Sequence, residues 1–246
     1  MFKHKISNKN RLLRKNSFNM KHIEENMQIL DLTHPIDPEK VQRKFSIERI
    51  GADEVNHNVV RKEGQWYIMT NISMVSHIAT HIEVPFHLYK DGFDLASMPI
   101  DAFCGNAILL DFSHIGKKVP ITREDVLVAI KQAGHINQGD IVICNLGFSD
   151  KYGTDEYSNS PYFSEEAMDA LIETGMKMMG VDAGGVEIPM SEEHVNHAKL
   201  FSHNIPLIEN VASLNSIKQS RFYLMAFPAS IKGVEAFPVR VVAFIE

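Results

Sequence analysis

Apolar runs of only four to six residues, each bounded by turn or capping residues, recur along this chain and restrict it to short strands threaded between helices. Asn106-Ala107-Ile108-Leu109-Leu110-Asp111 and Ile141-Val142-Ile143-Cys144-Asn145 read as fully buried strands. Residues 28–33 read as a strand stopped by His34-Pro35. Residues 45–50 alternate with period two, 66–69 are β-rich, and 206–209 and 239–245 complete the strand set. Between them, Thr122 with Asp125 three residues on forms a variant capping box, opening a helix that runs to about Ala133 and stops at Gly134. Ser164 caps a second helix, whose Ala167, Leu171 and Ile172 recur at helical spacing until Gly175, and 192–204 read as a third. Strands alternating with helices and free of repeats predict one α/β domain over residues 27–246.

A chain of 246 residues buries roughly 70–75% of its extended surface, so it needs no metal or disulfide to hold its fold. A metal here would serve chemistry. Apolar runs such as Val241-Val242-Ala243-Phe244-Ile245 fall far short of the roughly 18–20 residues of a membrane helix, which excludes a transmembrane function. Cys104 and Cys144 form no CxxC pair and read as buried thiols of a cytoplasmic protein. Residues 1–26 carry seven Lys or Arg against Glu24 and Glu25, a net +5 that leaves −11 on the rest of a chain totalling −6. The acidic body excludes a nucleic-acid surface spread over the domain. The basic segment lacks the apolar stretch of a secretory signal and reads as a disordered extension, with Met20 and Met27 as alternative starts.

The segment Ser76 to His87 holds three histidines and a carboxylate within a dozen residues, and Pro85 forbids their being one face of a helix. If 80–84 is extended, His81 and Glu83 point to one side while Ile82 and Val84 point to the other. A turn at Ile78-Ala79 would bring His77 to the same place. Two imidazoles and a carboxylate make a facial ligand set that leaves positions open for water or substrate. A second cluster lies more than 100 residues later, where His194 and His197 are one helical turn apart and Glu209 ends an apolar strand-like run.

These residues resemble the cyclase superfamily of metal-dependent hydrolases, which includes bacterial-type kynurenine formamidases and isatin hydrolases. Its signature H-x-G-T-H-x-D-x-P-x-H is matched by His77, Thr80, His81, Pro85 and His87. His197 with Leu200-Phe201, the Glu209-Asn210 pair, Asp31-Leu32-Thr33-His34-Pro35, Gly180-Val181-Asp182 and Pro238-Val239-Arg240 resemble further landmarks in the same order. Ala79 stands where glycine is usual, so either no positive φ is required there or the turn is altered. Glu83 replaces the usual aspartate, and Leu146 and Phe148 replace threonine and tryptophan.

The resemblance implies a swivelling β/β/α fold, with a central sheet or barrel flanked by helices, assembled as a homodimer or homotetramer. It implies one divalent ion on His77, His81 and Glu83, and a second on Glu83, His197 and Glu209 in members that use two. Zinc and manganese both suit imidazole and carboxylate ligands. The implied activity is cleavage of a C–N bond in a small amide by metal-activated water, the amide being an aryl formamide such as N-formylkynurenine or a cyclic amide. A lyase or cyclase stabilising an enolate, and a silent metal-stabilised binding protein, are the alternatives. His87, just beyond Pro85 and with an ordinary pKa near 6.5, is the expected proton handler. Trp66, Tyr67 and Phe86 flank the motif as aromatic pocket residues or as core. Asp182 either orients a ligand histidine or caps the turn before Gly184-Gly185.

Overall fold

The computed structural model describes residues 27–39, 41 and 43–246; the basic segment 1–26 lies outside them. The strands are β1 (Gln28–Asp31), β2 (Phe45–Gly51), β3 (Ile68–Met74), β4 (His81–Glu83), β5 (Cys104–Asp111), β6 (Pro120–Ile121), β7 (Ile141–Asn145), β8 (Tyr162–Phe163), β9 (Met178–Val181), β10 (Leu207–Glu209), β11 (Arg221–Met225), β12 (Ala236–Pro238) and β13 (Val242–Ile245). The helices are α1 (Ala52–Val55), α2 (Arg123–Ala133), α3 (Glu165–Glu173) and α4 (Val195–Ser202). Nine strands form one curled half-barrel sheet in the order β1-β13-β11-β5-β7-β9-β10-β4-β12.

The four central strands β5, β7, β9 and β10 run parallel, and the intervening chain carries α2, α3 and α4 in turn. Parallel strands are covered on both faces, which is why β7 reads as an unbroken apolar run. Its Val142 and Cys144 enter one core with Phe163, Leu171 and Phe201, while Ile141 and Ile143 enter the other with Ile82, Phe103 and Leu224. The caps behave as their chemistry requires: Thr122 Oγ1 accepts from Asp125 N, and the Asp125 carboxylate accepts from Thr122 N at 2.8 Å. Burial pushes the Cys144 thiol up, whereas Cys104 is only half-buried, so the expectation of two buried thiols holds for Cys144 alone. No helix among the described residues is long and apolar enough to cross a membrane.

Several boundaries depart from the sequence reading; the last strand, for one, begins at Val242 rather than 239. The third helix starts at Val195 rather than 192, because the Ser191 hydroxyl takes the Glu193 N–H and donates to the Glu193 carbonyl, holding that stretch as a turn. Strand β3 begins at Ile68, leaving Trp66 and Tyr67 in the connection from β2. The β2–β3 pair stands apart from the main sheet and leaves Trp66 80% and Ile72 60% exposed.

Immediately before β4, Ala79 adopts φ +51°, so the first of the two expectations for this position is overturned. The turn is left-handed and an alanine occupies it. Its carbonyl accepts from Asn210 Nδ2 at 2.8 Å and lies 2.9 Å from His81 Nδ1, which fixes the conformation from outside. A left-handed alanine costs about 1–2 kcal/mol, against about 0.5–1 kcal/mol of extra chain entropy for glycine. Ala79→Gly is therefore expected to leave the urea midpoint unchanged or raise it by up to about 1.5 kcal/mol equivalent. A clear fall in the midpoint would show that burial of the methyl group outweighs the backbone strain.

Candidate metal centre

Antiparallel pairing of β4 with β10 sets His81 opposite Glu209 and Glu83 opposite Leu207. Period-two alternation then puts His81, Glu83 and Glu209 on the face toward α4, while Ile82 and Ile208 turn into the opposite core. Helix α4 brings a buried His197 over the same point; His194, one turn earlier, is exposed as the residue before the helix. Glu83 sits at the centre. Its Oε1 lies 2.6 Å from His77 Nδ1 and 3.1 Å from His81 Nε2, and its Oε2 lies 3.3 Å from His197 Nε2. Glu209 brackets the cluster, with Oε2 3.4 Å from His81 Nε2 and Oε1 3.3 Å from His197 Nε2.

The structure thus brings His77, His81, Glu83, His197 and Glu209 together. Ligand atoms of His81, Glu83 and Glu209 lie within 4.8 Å of one another, as do those of His77, Glu83 and His87. Glu83 Oε2 is buried and accepts no well-formed hydrogen bond among the described residues, which suits it to a cation more than to a donor. Nitrogen and oxygen donors without thiolate fit a zinc or manganese ion.

The cluster's electrostatics follow from burial and pairing. Burial disfavours charge on Glu83, yet the imidazoles of His197, His77 and His81 around it overcome that and hold the carboxyl well below its ordinary range. Burial likewise opposes charge on His197, but Glu187, Glu209 and Glu83 push it up to about 12. His81 is raised on balance, with burial opposing Glu83 and Glu209. His87 moves the other way, lowered chiefly by burial and so neutral near pH 7. A cation entering this set would displace protons from the imidazoles.

Of the remaining expected residues, His87 ends the turn Pro85–His87 with its ring 4.5 Å from that of His77. Asp182 does not touch a ligand histidine. Its carboxylate accepts from Leu146 N at 2.6 Å, Phe148 N at 2.8 Å and Ser149 N at 3.0 Å, so it caps the loop after β7. Burial still raises its pKa. Phe86 packs against the core behind β4, and neither it nor the exposed Trp66 lines the cavity beside the cluster.

That cavity, about 890 Å³, opens onto His77, His81 and Glu209 and is walled by other aromatic groups. His34 stacks on Tyr152 at 4.2 Å, and Tyr157 meets Tyr152 edge-on at 5.4 Å. Tyr157 donates to Asn210 Oδ1 at 2.5 Å. Tyr152 and Tyr157, with Glu187 and Glu235, are what sequence reasoning missed. Glu187 pairs with His197 Nδ1 at 2.6 Å, and Glu235 accepts from Ser76 at 2.5 Å while lying 3.3 Å from His77 Nε2. Neither acid sits in a local pattern with the histidine it meets, so only their place near family landmarks could have drawn attention to them.

Comparison with known proteins agrees with this architecture. The kynurenine formamidase of Bacillus mycoides is 28% identical over 179 residues, covering 70% of this chain and 77% of the relative. That of Bacillus cytotoxicus is 25% identical over 172 residues, with the same two coverages of 70% and 77%. The solved structure of isatin hydrolase A from Labrenzia aggregata bound to benzyl benzoate shares the fold at a TM-score of 0.76 and 24% identity, covering 89% of this chain and 94% of that one. The Cyclase family model matches residues 30–188, a stretch that takes in β4 with His81 and Glu83 and ends before α4; on that match the chain belongs to the Cyclase family.

Proposed function

We propose that this protein is a metal-dependent hydrolase that cleaves the C–N bond of a small amide. The observation that carries this reading is the convergence of His77, His81, Glu83, His197 and Glu209 at one end of an aromatic-walled cavity. The kynurenine formamidases and the isatin hydrolase among its relatives support an amide as substrate, with an aryl formamide such as N-formylkynurenine or a cyclic amide as the candidates.

His77, His81 and Glu83 would hold one divalent ion, zinc or manganese, and Glu83, His197 and Glu209 a second. Such an ion, when bound, acidifies water toward a pKa of about 7 and polarises a carbonyl. The protein's own residues supply the rest. His77, His81 and Glu209 line the cavity and so meet the substrate, while Glu83 and His197, buried but outside that lining, hold the arrangement in place. Tyr152, Tyr157 and the stacked His34 present flat faces that suit a planar amide. His87, its pKa lowered chiefly by burial, lies against His77 outside the cavity lining, and from there is the group proposed to take a proton on a ring nitrogen from the attacking water and return it to the leaving nitrogen.

The exposed β2–β3 pair supports self-association as a homodimer or homotetramer. A two-stranded ribbon is marginal in water alone, and burying Trp66, Met69 and Ile72 against a second copy would stabilise it. The free thiols Cys104 and Cys144 fit a cytoplasmic setting.

Purified protein given zinc or manganese is expected to hydrolyse members of a panel of aryl formamides and cyclic amides, and to lose that turnover on chelation. Metal bound without turnover of any amide would return the lyase and binding-protein readings. His87→Ala is expected to retain the metal measured by mass spectrometry and to lose turnover by roughly 100- to 10,000-fold; equal losses of metal and turnover would make His87 a ligand. Light scattering on the eluting protein is expected to give two or four chain masses, with Ile72→Glu shifting the population toward the monomer.

A further inference from the structure

The carboxylate of Glu187 lies in the segment 183–194 between β9 and α4, a stretch that also forms part of the cavity wall. It makes two bonds to a single residue. Oε1 accepts from the His197 backbone N–H at 2.9 Å, and Oε2 meets His197 Nδ1 at 2.6 Å. The side chain is only 11% exposed, and the backbone beside it is tied down: the Val186 carbonyl accepts from Phe163 N at 3.0 Å and from Asn196 Nδ2 at 3.3 Å. Glu187 therefore arrives at His197 from a fixed position.

Its partner is placed in a matching way. An imidazole that gives its Nδ1 proton to a carboxylate keeps Nε2 for a cation. In His197 that Nε2 is the atom facing Glu83 Oε2 and Glu209 Oε1, both at 3.3 Å. The bond to the backbone N–H fixes the ring's origin, and the contact with Nδ1 its tautomer. His194, which precedes α4, contributes no side-chain cap, so Glu187 also satisfies one of the free N–H groups of the helix's first turn.

We propose that Glu187 is a positioning residue for the metal centre: it holds His197 in the tautomer and orientation that present Nε2 to the ion, and links the cavity wall to the cluster. The inference rests on the metal-centre reading above. His81 provides the contrast within the same site, since its Nδ1 meets the neutral Ala79 carbonyl at 2.9 Å while its Nε2 faces Glu83 and Glu209. Of the three ligand imidazoles, His197 thus has the Glu187 carboxylate behind it and His81 a peptide carbonyl, while His77 has Glu235 3.3 Å from its Nε2. Glutamine at 187 keeps the shape but places an amide N–H against one of the two donors. The pairing then favours a His197 with its proton on Nε2, the wrong atom for a ligand.

The test compares the wild-type protein with Glu187→Gln and Glu187→Ala by zinc titration against a competing chromophoric chelator, without substrate. Imidazole nitrogen NMR on the zinc-loaded proteins, with His197 assigned by substitution, reports the tautomer. The expected result is a roughly 10- to 100-fold weaker zinc affinity in both variants at unchanged zinc stoichiometry, with the His197 nitrogen resonances displaced in Glu187→Gln. Affinity within threefold of wild type in the near-isosteric Glu187→Gln, with unmoved His197 resonances, would overturn the inference. So would the loss of one whole zinc equivalent, which would make Glu187 a ligand itself. Failure of the wild-type protein to bind zinc or manganese would overturn the metal centre together with it, an outcome visible before any variant is made.

Discussion

A carboxylate buried among three imidazoles is the interaction on which the rest of this structure depends. Unpaired, the Glu83 charge would cost several kcal/mol to desolvate, and the group would neutralise instead. Its partners come from both ends of the chain's middle region: His77 and His81 from the approach to β4, His197 from α4. Bringing them together requires β4 to lie beside β10, and β10 to lie beside β9 in parallel with α4 crossing between them. The order of the sheet is therefore a condition for the site, because no shorter connection delivers a helix and an antiparallel neighbour to the same strand edge.

The backbone next to this charge is correspondingly unusual. Ala79 and Asn210 both take positive φ, at +51° and +58°, on facing segments, and they brace one another through the Asn210 side chain. Thr80 completes the brace by donating to the Asn210 carbonyl and accepting from the His34 N–H. Tyr157 extends it into the cavity wall through Asn210 Oδ1. Strain of this kind persists only where the surroundings over-determine the conformation, and here they do so within a few ångströms of the histidine–carboxylate cluster.

What could be read from the sequence, and what could not, divides along the same physical line. Period-two alternation identified His81 and Glu83 as facing one way and Ile82 and Val84 the other, because a strand buried on both faces offers no freedom to do otherwise. The capping box at Thr122 and the apolar run at 141–145 were legible for similar local reasons. Of the two readings open for the flanking aromatics, core or pocket, Phe86 takes the first and the exposed Trp66 neither, because nearness in sequence to a motif says nothing about which wall of a cavity a side chain reaches. The aromatic wall comes instead from His34, Tyr152 and Tyr157, brought in by a long loop and by the first strand's exit. Asp182 stands beside a family landmark, yet its three backbone partners lie 33 to 36 residues earlier, a relation set entirely by the pairing of β7 with β9.

The departure of Glu83 from the usual aspartate also acquires a physical meaning. The acid must reach two directions at once, toward His77 and His81 on its own segment and toward His197 on a helix across the cavity floor. One oxygen serves the first pair and the other faces His197 at 3.3 Å, so the added methylene spans the gap between β4 and α4 instead of crowding the strand. An aspartate on the same backbone would be one carbon short of that span. The longer side chain in turn has more rotamer freedom to lose, and it is the three surrounding imidazoles, themselves oriented by the Ala79 carbonyl, Glu235 and Glu187, that take that freedom away. A cation held through this longer side chain would thus depend more heavily on the residues behind the histidines than one held through a shorter acid.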